Sequence, residues 1–447
     1  MMAISGSIFG WNEFAMRLPG ALSGILLVGV VGLLARRLAG DRAGLLAAII
    51  QATLPGFFIQ EKMCRADVMT LFFATLAFER FLAWAEAPEA ERRTRDLLGM
   101  WVAVSLGVLT KGPLCIALLG VGGLAWFILK KEWSLLARMG WLWGFPLAAA
   151  IILPWYFLVY RSAGASFLHT NLIDENFRAL TDGFEQKRPW HFYFVHVPPV
   201  TLPWILALGL VWKVRRARGL GLALAWFAGT FLFLSISQAK RQSYVVYVTA
   251  SLATTVGILL SEISLSAPGL ARRALWGVAA LLALAPAGQL FLPRDGEPER
   301  IALIRTLFPL LSVLLVTGAA FLAGVTWRRG PLEGTLALAG VVLGGFLLYG
   351  YVLESRWEDE GRDGKAFCLR VRERIPPGTG LGRLGLEDGA YHFYYGAPIP
   401  LRHGEPGPYL LGPRSRDQLL ASGRRFRELD RVLDSRKRPT VLAEVMP

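Results

Sequence analysis

Cysteine is scarce, with three in 447 residues, at Cys64, Cys115 and Cys368. They are scattered, with neither the close spacing of a metal site nor the even count of a disulfide framework, and read as packing residues. Histidine is nearly as sparse, with five. His169, His191 and His196 form no metal signature and read as packing beside aromatics. Charged side chains make up only 18% of the chain, too few for a soluble protein of this length to cover its surface. Acids are in deficit, 33 against 48 Lys and Arg, leaving a formal net charge of +15. Such an excess can mark a nucleic-acid binder. Here the arginines sit in short clusters between apolar runs, which is a topology signal and speaks against nucleic acid as a partner. Before Phe14 there is no basic segment followed by an apolar core, so no signal peptide is visible.

What is abundant is apolar: 54% of the residues are hydrophobic. The runs suggest a polytopic α-helical membrane protein of about twelve spans: 18–35, 43–60, 67–85, 97–110, 113–129, 139–159, 194–212, 219–236, 244–262, 273–293, 303–325 and 332–353. Six basic clusters begin at Arg36, Arg92, Lys130, Lys213, Arg272 and Arg328. Successive clusters bracket two spans each, so all six fall on one side, which the positive-inside rule makes the cytoplasm. The membrane is expected to be the inner, cytoplasmic one, with residues 1–355 as the transmembrane domain. An external loop is expected over about 161–193.

That topology puts charges where the bias disfavours them. Arg65 and Asp67, Lys111, and Lys240 with Arg241 occupy short external connections; Arg178 lies in the external loop. Charges near membrane depth need partners, and a shared anionic ligand such as a lipid phosphate would supply one. Each has a plainer reading: Asp67 as a helix N-cap, Lys111, Lys240 and Arg241 as snorkelling cations, Arg178 on an interfacial helix. Trp155, Tyr156, Trp190, Tyr193 and Trp204 read first as an interface belt. Residues 356–447 read as a soluble external, periplasmic α/β domain, with a helix at 366–375, a strand at 391–395 and one or two helices over 416–433. Gly380, Gly382 and Gly385 have dinucleotide-type spacing but no strand–turn–helix frame, and read as a loop.

Four motifs in order carry a family resemblance. Phe9-Gly10 with Arg17-Leu18-Pro19, Leu109-Thr110-Lys111-Gly112, the run from Pro154-Trp155-Tyr156 through Glu175-Asn176-Phe177-Arg178 to Pro203-Trp204, and Ser235-Ile236-Ser237 with Lys240 and Tyr244 resemble the GT-C membrane glycosyltransferases. Within them the chain resembles the aminoarabinose transferases and the relatives of dolichyl-phosphate-mannose protein mannosyltransferases. The resemblance implies inverting transfer of a sugar from a polyprenyl-phosphate donor to a hydroxyl on a lipid, glycan or protein acceptor, with membrane lipids around it. It also implies Asp67 as a catalytic carboxylate, while Arg65, Lys111, Lys240 and Arg241 are candidates to stabilise the leaving lipid phosphate, with Arg178 and Tyr244 as further candidates for substrate or phosphate binding. In some relatives a divalent metal bridges carboxylates and phosphate; no independent ligand cluster is visible here.

The match departs from the family at its start, where a first span and an acidic external loop are expected before Phe9. Gln186 stands where histidine is common, and both prolines usual after Lys240 are missing. Two other readings stay open: a polyprenyl-phosphate-binding protein that depends on a partner chain for catalysis, and a transporter, against which no inverted repeat is visible.

Overall fold

In a computed structural model, residues 1–61, 65–169, 188–287, 298–348, 364–385, 389–401, 406–412, 415, 425–433 and 439–446 are described. The chain forms two compact units, Met1–Gly344 and Gly345–Pro447. The first is helical: α1 (Met2–Phe9), α2 (Glu13–Ala39), α3 (Asp41–Thr53), α4 (Pro55–Glu61), α5 (Asp67–Ala85), α6 (Thr94–Lys111), α7 (Leu114–Lys130), α8 (Ser134–Ala137), α9 (Trp141–His169) and α10 (Phe192–Thr201). Then follow α11 (Leu220–Ile236), α12 (Thr249–Ser266), α13 (Pro268–Leu284), α14 (Pro298–Arg328) and α15 (Pro331–Leu348). Two 3-10 helices, Trp204–Lys213 and Gln242–Val248, precede α11 and α12.

Among the described residues seven helices are long and apolar enough to cross a membrane, or eight if one bent pair is counted as a span. This is a multi-pass membrane protein. Two expected spans are broken at proline. Run 43–60 divides into α3 and α4 at Leu54, extended before Pro55. Run 194–212 bends by 101° between α10 and the following 3-10 helix. In both, proline removes a backbone donor and keeps the preceding residue out of the helical region.

The helices sort by burial. The α5 span is 83% buried and the Gln242–Ser266 span 89%, whereas the α9, α13 and α14 spans are mostly exposed. Apolar side chains on the outer helices can face hydrocarbon at no cost, so the centre is reserved for helices that also carry polar groups. Close backbone approach fixes that centre. A Cβ on Gly257 would lie 2.6 Å from the Ala47 backbone nitrogen, so α12 packs on α3 only as glycine.

The second unit has a four-stranded sheet, order β1 (Gly382–Leu384), β2 (Gly407–Leu411), β4 (Pro439–Val445), β3 (Phe426–Leu433). Strands β1 and β2 are parallel, and β4 is antiparallel to β2 and β3. Helices α16 (Gly364–Arg374) and α17 (Gly389–Tyr395) pack on it. The helix expected over 366–375 is present as α16. Two other assignments are reversed. Segment 391–395, expected as a strand for its aromatics, is helical because Tyr391, Tyr394 and Tyr395 share one face and pack with Phe367. The expected helical segment 416–433 contains strand β3; residues 416–424 lie outside the described set. Phe426, Leu429 and Val432 have helix-like spacing because a bulge between Glu428 and Asp430 takes Leu429 out of register.

Candidate active site

Asp67 opens α5. It is the first helical residue and makes no capping hydrogen bond, so the N-cap reading fails. Its side chain is 5% exposed and ion-pairs with Lys111 at the end of α6. Tyr247 donates to the same Asp67 oxygen, Oδ1, at 2.6 Å. Asp67 Oδ2 carries no hydrogen bond among the described residues. Three elements distant in sequence thus meet at one carboxylate.

Each member is held by local chemistry. Gly112, at φ 65, closes α6 with a backbone bond to Val108 O, in a left-handed region that favours glycine. That turn leaves Lys111 as the last helical residue, with Pro113 starting the next segment. Thr70 and Thr110 share a 2.8 Å hydrogen bond, pinning the starts of the two helical ends together. The Lys111 ammonium lies 4.5 Å from the centroid of the Tyr244 ring and 5.7 Å from that of Tyr247. Such cation–π contacts hold a cation while leaving its outer face open.

The remaining sequence candidates divide. Arg65 and Arg241 are exposed and act electrostatically on Lys111, so they belong to the same cationic neighbourhood. Lys240 is 3% exposed and turned to main-chain carbonyls, those of Ser237 and, at 3.4 Å, Arg188. Burial holds its ammonium below the ordinary lysine value. It braces the segment that carries Arg241. Tyr244 faces Lys111, and Arg178 lies outside the described residues.

Tyr247 was not singled out by sequence. It stands three residues after Tyr244 in a stretch that reads as ordinary span, and only the 3-10 turn Gln242–Val248 brings it to Asp67. Two aromatics expected at the membrane interface are buried instead. Tyr193 Oη donates to Arg241 O at 3.2 Å, and Trp204 Nε1 to Thr53 O at 3.4 Å. Each buried polar tip has a partner, as burial demands. Among the described residues no group of three or more His, Cys, Asp or Glu could hold a metal ion.

A buried carboxylate, an adjacent ammonium and exposed arginines at a helix-bundle end suit chemistry on an anionic ligand. Comparison with known proteins gives the family. Residues 3–171 match the family model of dolichyl-phosphate-mannose-protein mannosyltransferases. The chain is 30% identical over 406 residues to the undecaprenyl phosphate-alpha-4-amino-4-deoxy-L-arabinose arabinosyl transferase of Pseudomonas aeruginosa (strain UCBPP-PA14), covering 87% of this chain and 70% of that protein. It is 28% identical to the protein of the same description from Pseudomonas paraeruginosa (strain DSM 24068 / PA7), with the same coverage. The crystal structure of ArnT from Cupriavidus metallidurans bound to undecaprenyl phosphate superposes with a TM-score of 0.81 at 22% identity, covering 99% of this chain and 86% of that one; this likeness shows the fold. On these grounds the chain belongs to the aminoarabinose transferase family of GT-C membrane glycosyltransferases.

Proposed function

We propose that the protein transfers a sugar from a polyprenyl-phosphate donor to an acceptor hydroxyl at the outer face of the cytoplasmic membrane. The observation that carries this reading is the Asp67–Lys111–Tyr247 cluster. It lies at the end of α5 and α6 opposite the Arg92 cluster that joins them. By the positive-inside rule the Arg92 end is cytoplasmic and the Asp67 end external. The same rule supports reading residues 356–447, which follow the last expected span, as periplasmic.

In the proposed step the acceptor oxygen forms a bond to the anomeric carbon from the face opposite the leaving group. The bond from that carbon to the phosphate oxygen breaks, and its electron pair leaves on the lipid phosphate, inverting the centre. The acceptor proton passes to Asp67 Oδ2, the oxygen not engaged by Lys111 and Tyr247. Tyr247 fixes the carboxylate orientation. Lys111, with Arg65 and Arg241, stabilises the negative charge developing on the phosphate, a task for preplaced cations. The relatives' descriptions make undecaprenyl phosphate-linked 4-amino-4-deoxy-L-arabinose the first donor to try.

Proteoliposomes containing the protein, that donor and a lipid acceptor test the reading. Transfer of labelled sugar is expected from the wild type and lost in both Asp67→Asn and Lys111→Ala, with normal insertion. Full transfer by both variants would overturn the assignment of the site. Donor flux across the bilayer without transfer would instead make the protein a transporter.

A further inference from the structure

At the opposite end of the same bundle, where α2, α5 and α7 end and α11 begins, lies a cavity of about 680 Å³. α5 separates it from Asp67 by about 28 Å at roughly 1.5 Å per residue. Its lining brings together Arg92, Lys130 and Arg218 with Glu86, Glu132 and Trp126. These residues come from separate connections, and none takes part in the proposed transfer. We infer that this cavity binds the phosphate headgroup of an anionic glycerophospholipid from the leaflet opposite the active site.

Charge bookkeeping within the cavity favours an anion. Glu86 is already engaged: Lys130 Nζ lies 3.6 Å from its Oε1, and Trp126 Nε1 donates to that atom at 3.4 Å. Of the lining acids this leaves Glu132, which is exposed, and neither Arg92 nor Arg218 has an ion pair among the described residues. The Arg92 guanidinium lies 5.6 Å from the Trp84 ring centroid. Its Nε–H is buried without an acceptor. A buried donor left unsatisfied is unfavourable, and a small shift of the half-buried Arg92 toward a ligand oxygen would satisfy it. Positive-inside topology and the helix dipole explain cations at these helix ends. They do not explain a buried guanidinium donor without an acceptor beside a concave site lined by Trp126.

The setting favours a lipid over free phosphate. Leu129, on the lining, is half exposed on an apolar helix, so acyl chains can lie along the outer surface while the headgroup enters. Basic pockets between transmembrane helices at this level are suited to anionic lipid headgroups. Gly219, at φ 75, keeps the mouth in shape: a Cβ there would meet the Leu38 carbonyl oxygen at 2.8 Å.

The test is native mass spectrometry of the delipidated full chain in detergent, titrated separately with phosphatidylglycerol, phosphatidylethanolamine and inorganic phosphate. Phosphatidylglycerol is expected to be retained in preference to phosphatidylethanolamine. Arg92→Gln and Arg218→Gln should each weaken its retention about fivefold. Arg93→Gln, which removes an exposed cation outside the lining, should not. Arg218 is exposed, so its loss does not test packing. Equal retention of phosphatidylethanolamine would overturn the inference. So would unchanged binding by the Arg92/Arg218 double variant. Displacement of phosphatidylglycerol by equimolar inorganic phosphate would show a free-phosphate site and reject the lipid assignment. None of these readouts depends on sugar transfer.

Discussion

The Asp67–Lys111 pair makes a prediction in which stability and catalysis separate. Asp67→Asn removes the charge but keeps the shape, leaving Lys111 with its contact to the Tyr244 ring. Breaking a buried ion pair by removing one partner costs about 3–5 kcal/mol. Lys111 is 28% exposed, and its cation–π contact is worth about 0.5–2 kcal/mol. The expected loss is therefore reduced, to about 2–3 kcal/mol. Adding Lys111→Met removes the uncompensated ammonium and should restore about 1–2 kcal/mol of it. Sugar transfer should stay abolished in the double variant, since both charges are assigned to the reaction. Unfolding in a defined detergent, monitored by tryptophan fluorescence, measures the cycle beside a transfer assay. A single variant as stable as wild type, or a double variant no more stable than the single, would refute the coupling. Recovery of transfer with recovered stability would make the pair a packing device.

Other expectations follow from the same geometry. Glu79 is 2% exposed and binds Arg37 at 2.8 Å and also Arg80, which reaches Asp96 at 3.1 Å. Glu79→Gln should lower stability by about 3 kcal/mol and cut membrane yield, whereas Arg36→Ala, at an exposed pair, should cost under about 1 kcal/mol; equal yields would contradict this. Gly257→Ala forces a methyl onto the Ala47 backbone and should cost about 1–3 kcal/mol in thermal unfolding, with no cost if α12 can shift freely. Asp430 is partly buried, which raises its pKa, but hydrogen bonds from Arg370 and the Arg431 N–H outweigh burial and hold it below its ordinary 3.8. Its stabilising effect is therefore present above that value and lost as pH falls through the depressed folded one. The gap between wild-type and Asp430→Asn unfolding midpoints should be constant near neutrality and close only in acid; a gap closing above pH 5 would contradict the assignment.

Much of the architecture was legible without coordinates, because the membrane imposes simple rules. Apolar runs must be helical to satisfy their backbones, and arginine clusters mark one side, so helices such as α5 and α11 fall within a residue of the sequence reading. Asp67 and Lys111 stood out for a related reason: a charge at the edge of an apolar run is costly enough to require a cause. Their pairing across α5 and α6, and the arrival of Tyr247, depended on tertiary packing, since no local pattern records which helix ends meet. Lys240 shows the converse. Its sequence setting matches that of a phosphate ligand, yet the fold turns its ammonium onto backbone carbonyls. In the second unit a single bulge in β3 gives a strand helix-like spacing, and three tyrosines with strand propensity are helical because one helical face can reach Phe367. Composition and periodicity thus determined the membrane class, the helices and the candidate charges. Tertiary structure decided which charges meet, because contact depends on packing between segments far apart in sequence.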